Sequence, residues 1–237
     1  AYYPYSADNN KSKQTAVNGN LPTIQNYSTT IRRLNHDYKI GKYASWSLSG
    51  SKFTFSNIMT YVRPRINATG SVLVGDKVEY IAMEVTTADG KPRQISGDFT
   101  FDLTQSAANA ITGWTTTNDS NKARLSFSNT PTLYADQLTE GLLTLGPNIK
   151  KGDVIKFTIK TDKHIATFNR TSGLDYTANK LVKYTINLTE IADLKIENIG
   201  EEQPEDPEQP EDPTPDDPAG EEDTEHVEYS GTAVTGG

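Results

Sequence analysis

The sequence predicts an all-β protein of two tandem β-sandwich domains, closed by a disordered, acidic, proline-rich tail. Three observations carry that expectation. Apolar and polar residues alternate with period two in short runs. Gly, Pro and Asx turn chemistry interrupts those runs about every ten residues. No segment sustains an apolar stripe of helical period for more than a turn or two.

Taken in order, 51–55 (SKFTF) and 59–66 alternate first, followed by 78–85 (VEYIAMEV). That run sets Val78, Tyr80 and Ala82 on one phase and Glu79, Ile81 and Met83 on the other. Asp89-Gly90-Lys91-Pro92 then supplies turn residues for a hairpin or a crossing between sheets. Strands are expected next at 97–103 (GDFTFDL), 123–127 (ARLSF), 142–145 and 154–161 (VIKFTIKT). The last is the clearest, with Ile155, Phe157 and Ile159 opposed to Lys156, Thr158 and Lys160. Runs at 183–188 (KYTINL) and 194–199 (LKIENI) close the series. Residues 133–143 are read as room for a short helix between Pro131 and Gly141. Residues 8–30, polar and turn-rich, are read as a surface excursion.

The boundary between the sandwiches is expected near Ile95, giving a domain over 1–95 and another over 96–199; a single large sandwich is the alternative. Each half is near the size of a small sandwich, able to bury a modest core. Residues 200–224 then form an acidic linker, and 225–237 a candidate donor strand or a frayed terminus.

Charge sets this tail apart. The chain carries 31 acidic and 23 basic residues, a net charge of −8. Fourteen of the acids lie between Glu201 and Glu228, where there is no Lys or Arg, so the preceding body is mildly basic. Six of the 12 prolines fall there too. Such a segment buries too little apolar surface to offset the entropy of ordering, and proline holds it extended at about 3.1 Å per residue. Beyond it, 226–234 (HVEYSGTAV) places Val227, Tyr229 and Ala233 on one phase, as a segment able to add to a sheet edge would. Basic residues in the body cluster only at Arg32/Arg33, Arg63/Arg65 and Lys150/Lys151, too dispersed for the concentrated face that nucleic acid needs.

Recognisable catalytic chemistry is missing, so the chain is read as non-enzymatic and without a cofactor. Zero cysteines exclude disulfides, thiolate metal sites and cysteine nucleophiles. The three histidines, His36, His164 and His226, have no metal-ligand spacing, and His164 is read as a surface residue. Phosphate-binding glycine loops and a nucleophile elbow do not occur. Asn118, Asp119 and Asn121 could offer oxygen to calcium, or could form an ordinary Asx turn. N-x-S/T sequons, among them those at Asn26, Asn67, Asn118, Asn169 and Asn187, are read as incidental. Trp46 and Trp114 are candidates for stacking against glycans, or else for plugging the sandwich cores. The opening AYYPYS reads as a strand already inside a domain, with no basic and apolar leader pattern.

Several stretches resemble one family. AYYPYS, Leu21-Pro22-x-x-Gln25 and the strand region 53–66 resemble the first domain of Bacteroidetes fimbrillins. Gly97-Asp98-Phe99, Gly146-Pro147 and 180–188 (KLVKYTINL) resemble the second domain, so the resemblance spans roughly residues 1–199. It implies transthyretin-like sandwiches, neighbouring pilin subunits as partners, and assembly into adhesive fimbriae on the outer-membrane surface by donor-strand exchange. Val227, Tyr229 and Ala233 would occupy the donor position. In that family AYYPY lies well inside the first domain, so front strands would be lacking here. The family's lipidated cysteine and arginine processing site do not occur in these residues, and the acidic spacer departs from the compact family ending. A glycan-binding surface adhesin or lipoprotein fragment that does not polymerise is the alternative.

Overall fold

The computed structural model describes residues 1–4, 15–30, 36–42, 54–117 and 119–200. Among them the alternating runs become sixteen strands. In chain order these are β1 (Tyr2–Tyr3), β2 (Ala16–Leu21), β3 (Ile24–Tyr27), β4 (Lys39–Lys42), β5 (Thr54–Asn57) and β6 (Thr60–Asn67). Then come β7 (Val78–Thr86), β8 (Gly97–Asp102), β9 (Ile111–Trp114), β10 (Lys122–Phe127) and β11 (Thr139–Glu140). The last are β12 (Leu143–Leu145), β13 (Val154–Thr161), β14 (His164–Thr171), β15 (Leu181–Asn187) and β16 (Lys195–Asn198). The fold is an all-β sandwich, as the alternation predicts.

The larger sandwich has a six-stranded sheet ordered β16-β14-β13-β7-β10-β3. Facing it, β6 pairs with β11 and β12 along one side and runs parallel to β15 on the other. Ile155, Phe157 and Ile159 turn inward from β13 as their phase predicts, and Ile81, Met83 and Val85 join them from β7. Phe157 stacks on Phe168 at 5.2 Å between centroids and meets the Tyr184 ring edge-on at 5.2 Å. The predicted phase of β7 fails at one residue. Thr161 is opposite Val78 and Lys160 opposite Tyr80, so Glu79 is an extra residue in the ladder. Such a bulge resets the alternation, and Val78 becomes buried with Ile81.

A smaller sandwich packs the β2-β8-β9 sheet on the β1-β4-β5 sheet. Its core is built of Val17, Leu21, Ile40, Ile58, Met59, Phe99, Phe101 and Ala110. Its strand β2, like β3 of the larger sandwich, lies where a surface excursion is expected, because their few apolar residues are diluted by Asn, Gly and Gln. Gly19 in β2 lies directly opposite Phe99 in β8, and the aromatic ring covers it so closely that a Cβ would fall 2.4 Å from Cζ. The ring supplies the side chain that the glycine lacks.

The expected boundary near Ile95 is not a boundary between the cores. The chain lays β1 and β2 in the small sandwich, β3 in the large, β4 and β5 in the small, and β6 and β7 in the large. It returns to the small sandwich for β8 and β9, then builds β10 to β16 in the large one. Ile95 is itself buried in the larger core. The Asp89-Gly90-Lys91-Pro92 punctuation marks a tight return, with Arg93 N–H donating to Val85 O at 3.0 Å, and no linker follows it. Residues 133–143 hold no helix; Thr139–Glu140 and Leu143–Leu145 pair there with β6. The acidic segment and the candidate donor strand lie outside the described residues.

Gln25, in the Leu21-Pro22-x-x-Gln25 run, fastens the two sheets of the large sandwich together. Its buried Nε2 donates to Thr144 O at 2.7 Å, and its Oε1 accepts from Thr144 N–H at 2.9 Å. One side chain thereby takes the place that a further strand would occupy along β12. Gln25→Leu fills the same space but strands two buried backbone groups, so we expect a loss of about 2–3 kcal/mol. Urea unfolding of the two proteins measures it, and an unchanged midpoint would show that Thr144 finds other partners.

Candidate functional site

Of the residues nominated from sequence, Trp114 falls on β9. Its ring is half-buried, lies 5.1 Å from that of Phe99, and would touch a Cβ placed on Gly146 at 2.5 Å. It thus packs between the small core and the Gly146-Pro147 loop of the large sandwich. Trp46, Val227, Tyr229 and Ala233 lie outside the described residues, as does Asn118. Asp119 pairs with Lys122 at 3.0 Å, and the Asn121 amide reaches Val85 O at 3.4 Å, so both are engaged in the turn before β10. Among the described residues no group of three or more His, Cys, Asp or Glu could hold a metal.

His164 is not a surface residue. Its Nδ1 lies 2.6 Å from Oδ2 of Asp76, which is 1% exposed. Thr161 Oγ1 donates to the same oxygen at 2.9 Å, and Lys163 Nζ stands 3.4 Å from Oδ1. Burial pushes the Asp76 carboxyl up, but the hydrogen bonds from His164, Thr161 and Lys163 outweigh it and hold the carboxyl below its ordinary value. The sequence hides this because Asp76 and His164 are far apart in the chain, and only the β7–β13–β14 pairing joins them. The cluster ties the entry to β7 to the β13–β14 turn.

Among the described residues, two open surfaces bear on function. The first is a margin of the large sandwich. The sheet around β6 ends at β15, whereas the facing sheet continues to β16. Ile196 stands directly opposite the buried Ala166, on the core-facing side, yet it is 36% exposed. Ile199 (41%) and Leu181 (42%) are exposed beside the same two strands. Along β15, Val182 and Ile186 are buried and alternate with exposed Leu181, Lys183 and Thr185. No strand among the described residues pairs with the outer edge of β15. Sequence reading finds both strands but not their positions at the edge.

The second surface is a cleft of about 500 Å³ where the segment between β10 and β11 meets β6. Arg63, Asn129, Tyr134, Gln137 and Glu140 contribute its polar groups. Glu140 is fastened to Arg65 Nε at 2.6 Å, and Asn129 is bonded to Thr29. Sequence reading singles out Arg63 and Arg65 only as a minor basic cluster. The acid that neutralises one of them lies far along the chain.

No family model matches the chain, and no curated protein matches it. Among solved structures, the chain is similar to a candidate cell adhesion protein from Bacteroides uniformis. The two are 14% identical with a TM-score of 0.47, over 84% of this chain and 69% of that one. It is also similar to a candidate cell adhesion protein from Bacteroides ovatus, at 12% identity and a TM-score of 0.45. That overlap covers 84% of this chain and 64% of the other.

Proposed function

We propose that this chain is a structural, non-enzymatic subunit of a bacterial surface fimbria, assembled by donor-strand exchange and supporting adhesion. The observation that carries the reading is the open margin at β15 and β16. An unpaired edge beside exposed Leu181, Ile196 and Ile199 offers backbone hydrogen bonds and apolar positions to an incoming strand. The occupant is the 225–237 segment of a second copy, with Val227, Tyr229 and Ala233 as the residues that seat against the margin. Charge supports the same pairing, because Lys180, Lys183 and Lys195 lie along the two strands and the spacer before the donor carries acids without bases. Donor and acceptor are different surfaces, so the contact propagates a filament and does not close a dimer. Its partners are then neighbouring subunits, and its place is the outer-membrane surface.

Light scattering and an unheated gel test this on the full chain and on one ending at residue 224. A ladder or filaments from the full chain, lost on truncation, is the expected result. Two monomers would sink strand donation and favour a non-polymerising adhesin.

A further inference from the structure

The cleft beside β6 is built before any ligand arrives. Its outer wall, the segment between β10 and β11, is tied down by Val78 N–H to Pro131 O (2.9 Å), Gly75 N–H to Leu133 O (2.8 Å) and Leu133 N–H to Asp76 O (2.8 Å). Thr69 Oγ1 also donates to Ala135 O. Within this wall Thr130 has φ +28°, a left-handed backbone that a β-branched residue rarely adopts. It sits between Asn129 and Pro131, both of which line the cleft. Strain of this kind persists where the surrounding structure imposes a shape.

The chemistry left free in the cleft is specific. Arg65 is engaged by Glu140, but Arg63 makes no hydrogen bond or ion pair with the described residues. Tyr134 is 52% exposed, and neither its hydroxyl nor the Gln137 amide has a partner among them. Unused groups are therefore a guanidinium fork, a planar amide and an aromatic face with a phenol at its end. A guanidinium takes a carboxylate through two parallel hydrogen bonds. An amide both donates to and accepts from hydroxyls, and an exposed tyrosine offers its face to C–H groups. A polyhydroxylated ring with an acid uses all three. The volume falls within the roughly 300–1,000 Å³ of small-molecule sites. A phosphate-rich polymer fits poorly, because Glu140 stands in the lining and Arg63 is the one unpaired cation among the described lining residues.

We infer that this cleft binds a carboxylated saccharide, with Arg63 on the acid, Gln137 on ring hydroxyls and Tyr134 beneath the ring. Occupancy is independent of assembly, since every group belongs to one chain. Calorimetric titration of the full chain with tetragalacturonate, a hyaluronan oligosaccharide and sialyllactose tests it, with lactose as the neutral control. We expect saturable binding of at least one acidic sugar, with half-saturation of roughly a millimolar or tighter. Lactose should bind at least about tenfold more weakly. Arg63→Gln should abolish the preference for the acid, and Tyr134→Ala should weaken acidic and neutral sugars alike. Both side chains are unpaired among the described residues, so circular dichroism should show each variant folded. Absence of saturable binding to all three acidic sugars overturns the proposal. So does binding that Arg63→Gln leaves unchanged.

Discussion

Phe157→Ala should cost the protein about 3–5 kcal/mol, the range for deleting a buried ring that the core cannot fill by collapse. Phe157 is wholly buried at the centre of the large sandwich. Its ring is held against Phe168 from the neighbouring strand and against Tyr184 from the opposite sheet, so removing it empties the space where both sheets meet. Neither neighbour can move in freely. The Tyr184 hydroxyl is bonded to that of Tyr176 at 2.7 Å, and Ala166 and Phe168 are fixed by the β13 ladder. At roughly 2–4 °C per kcal/mol for a unit of this size, the melting temperature should fall by about 6–20 °C. Calorimetry would check it. A fall of only a degree or two would mean that the two sheets close over the gap.

Asp76→Asn should flatten the acid limb of the stability curve. The carboxyl of Asp76 ionises below its ordinary value in the folded protein. A depressed folded-state value means that the stabilisation is fully present above the unfolded value, near pH 4, and is lost as pH falls through the folded one. Wild type should therefore weaken progressively below about pH 4, and the asparagine variant should weaken less over that window. At neutral pH, where the carboxylate is charged, Asp76→Ala should cost about 2–3 kcal/mol, since His164 and Thr161 lose a charged acceptor in a buried place. Urea midpoints at several pH values decide the matter. Parallel curves for wild type and Asp76→Asn would show that other carboxylates control acid unfolding.

How far the fold was legible depended on where the information lay. The strand Val154–Thr161 announces itself, because three apolar side chains alternate with three polar ones and both facts are local. Ala16–Leu21 does not, since its central position is a glycine whose cover, Phe99, comes from another part of the chain. His164–Thr171 is hidden for a related reason: its phase rests on only Ala166 and Phe168, and Arg170, on the same phase, is exposed. The turn at Asp89-Gly90-Lys91-Pro92 looks the same in sequence whether it links two domains or returns a strand to its own sheet. Only pairing separates the cases. For the cleft, Arg63 and Arg65 are visible as charges, but what distinguishes them is that one has Glu140 and the other has no partner among the described residues. Alternation shows which face a side chain takes, and leaves its company unknown.

The passage of the chain back and forth between its two cores has a consequence for inheritance. Each core draws strands from both sides of residue 95, so no single cut in the gene releases either as a self-sufficient piece. Duplication or exchange of half of this coding stretch would deliver two fragments, each lacking strands that its sandwich needs. Such a protein can be copied whole or reshaped at its loops, but it cannot be dealt out by halves. Variety among its descendants should accumulate at the rims, while the weave itself passes on intact.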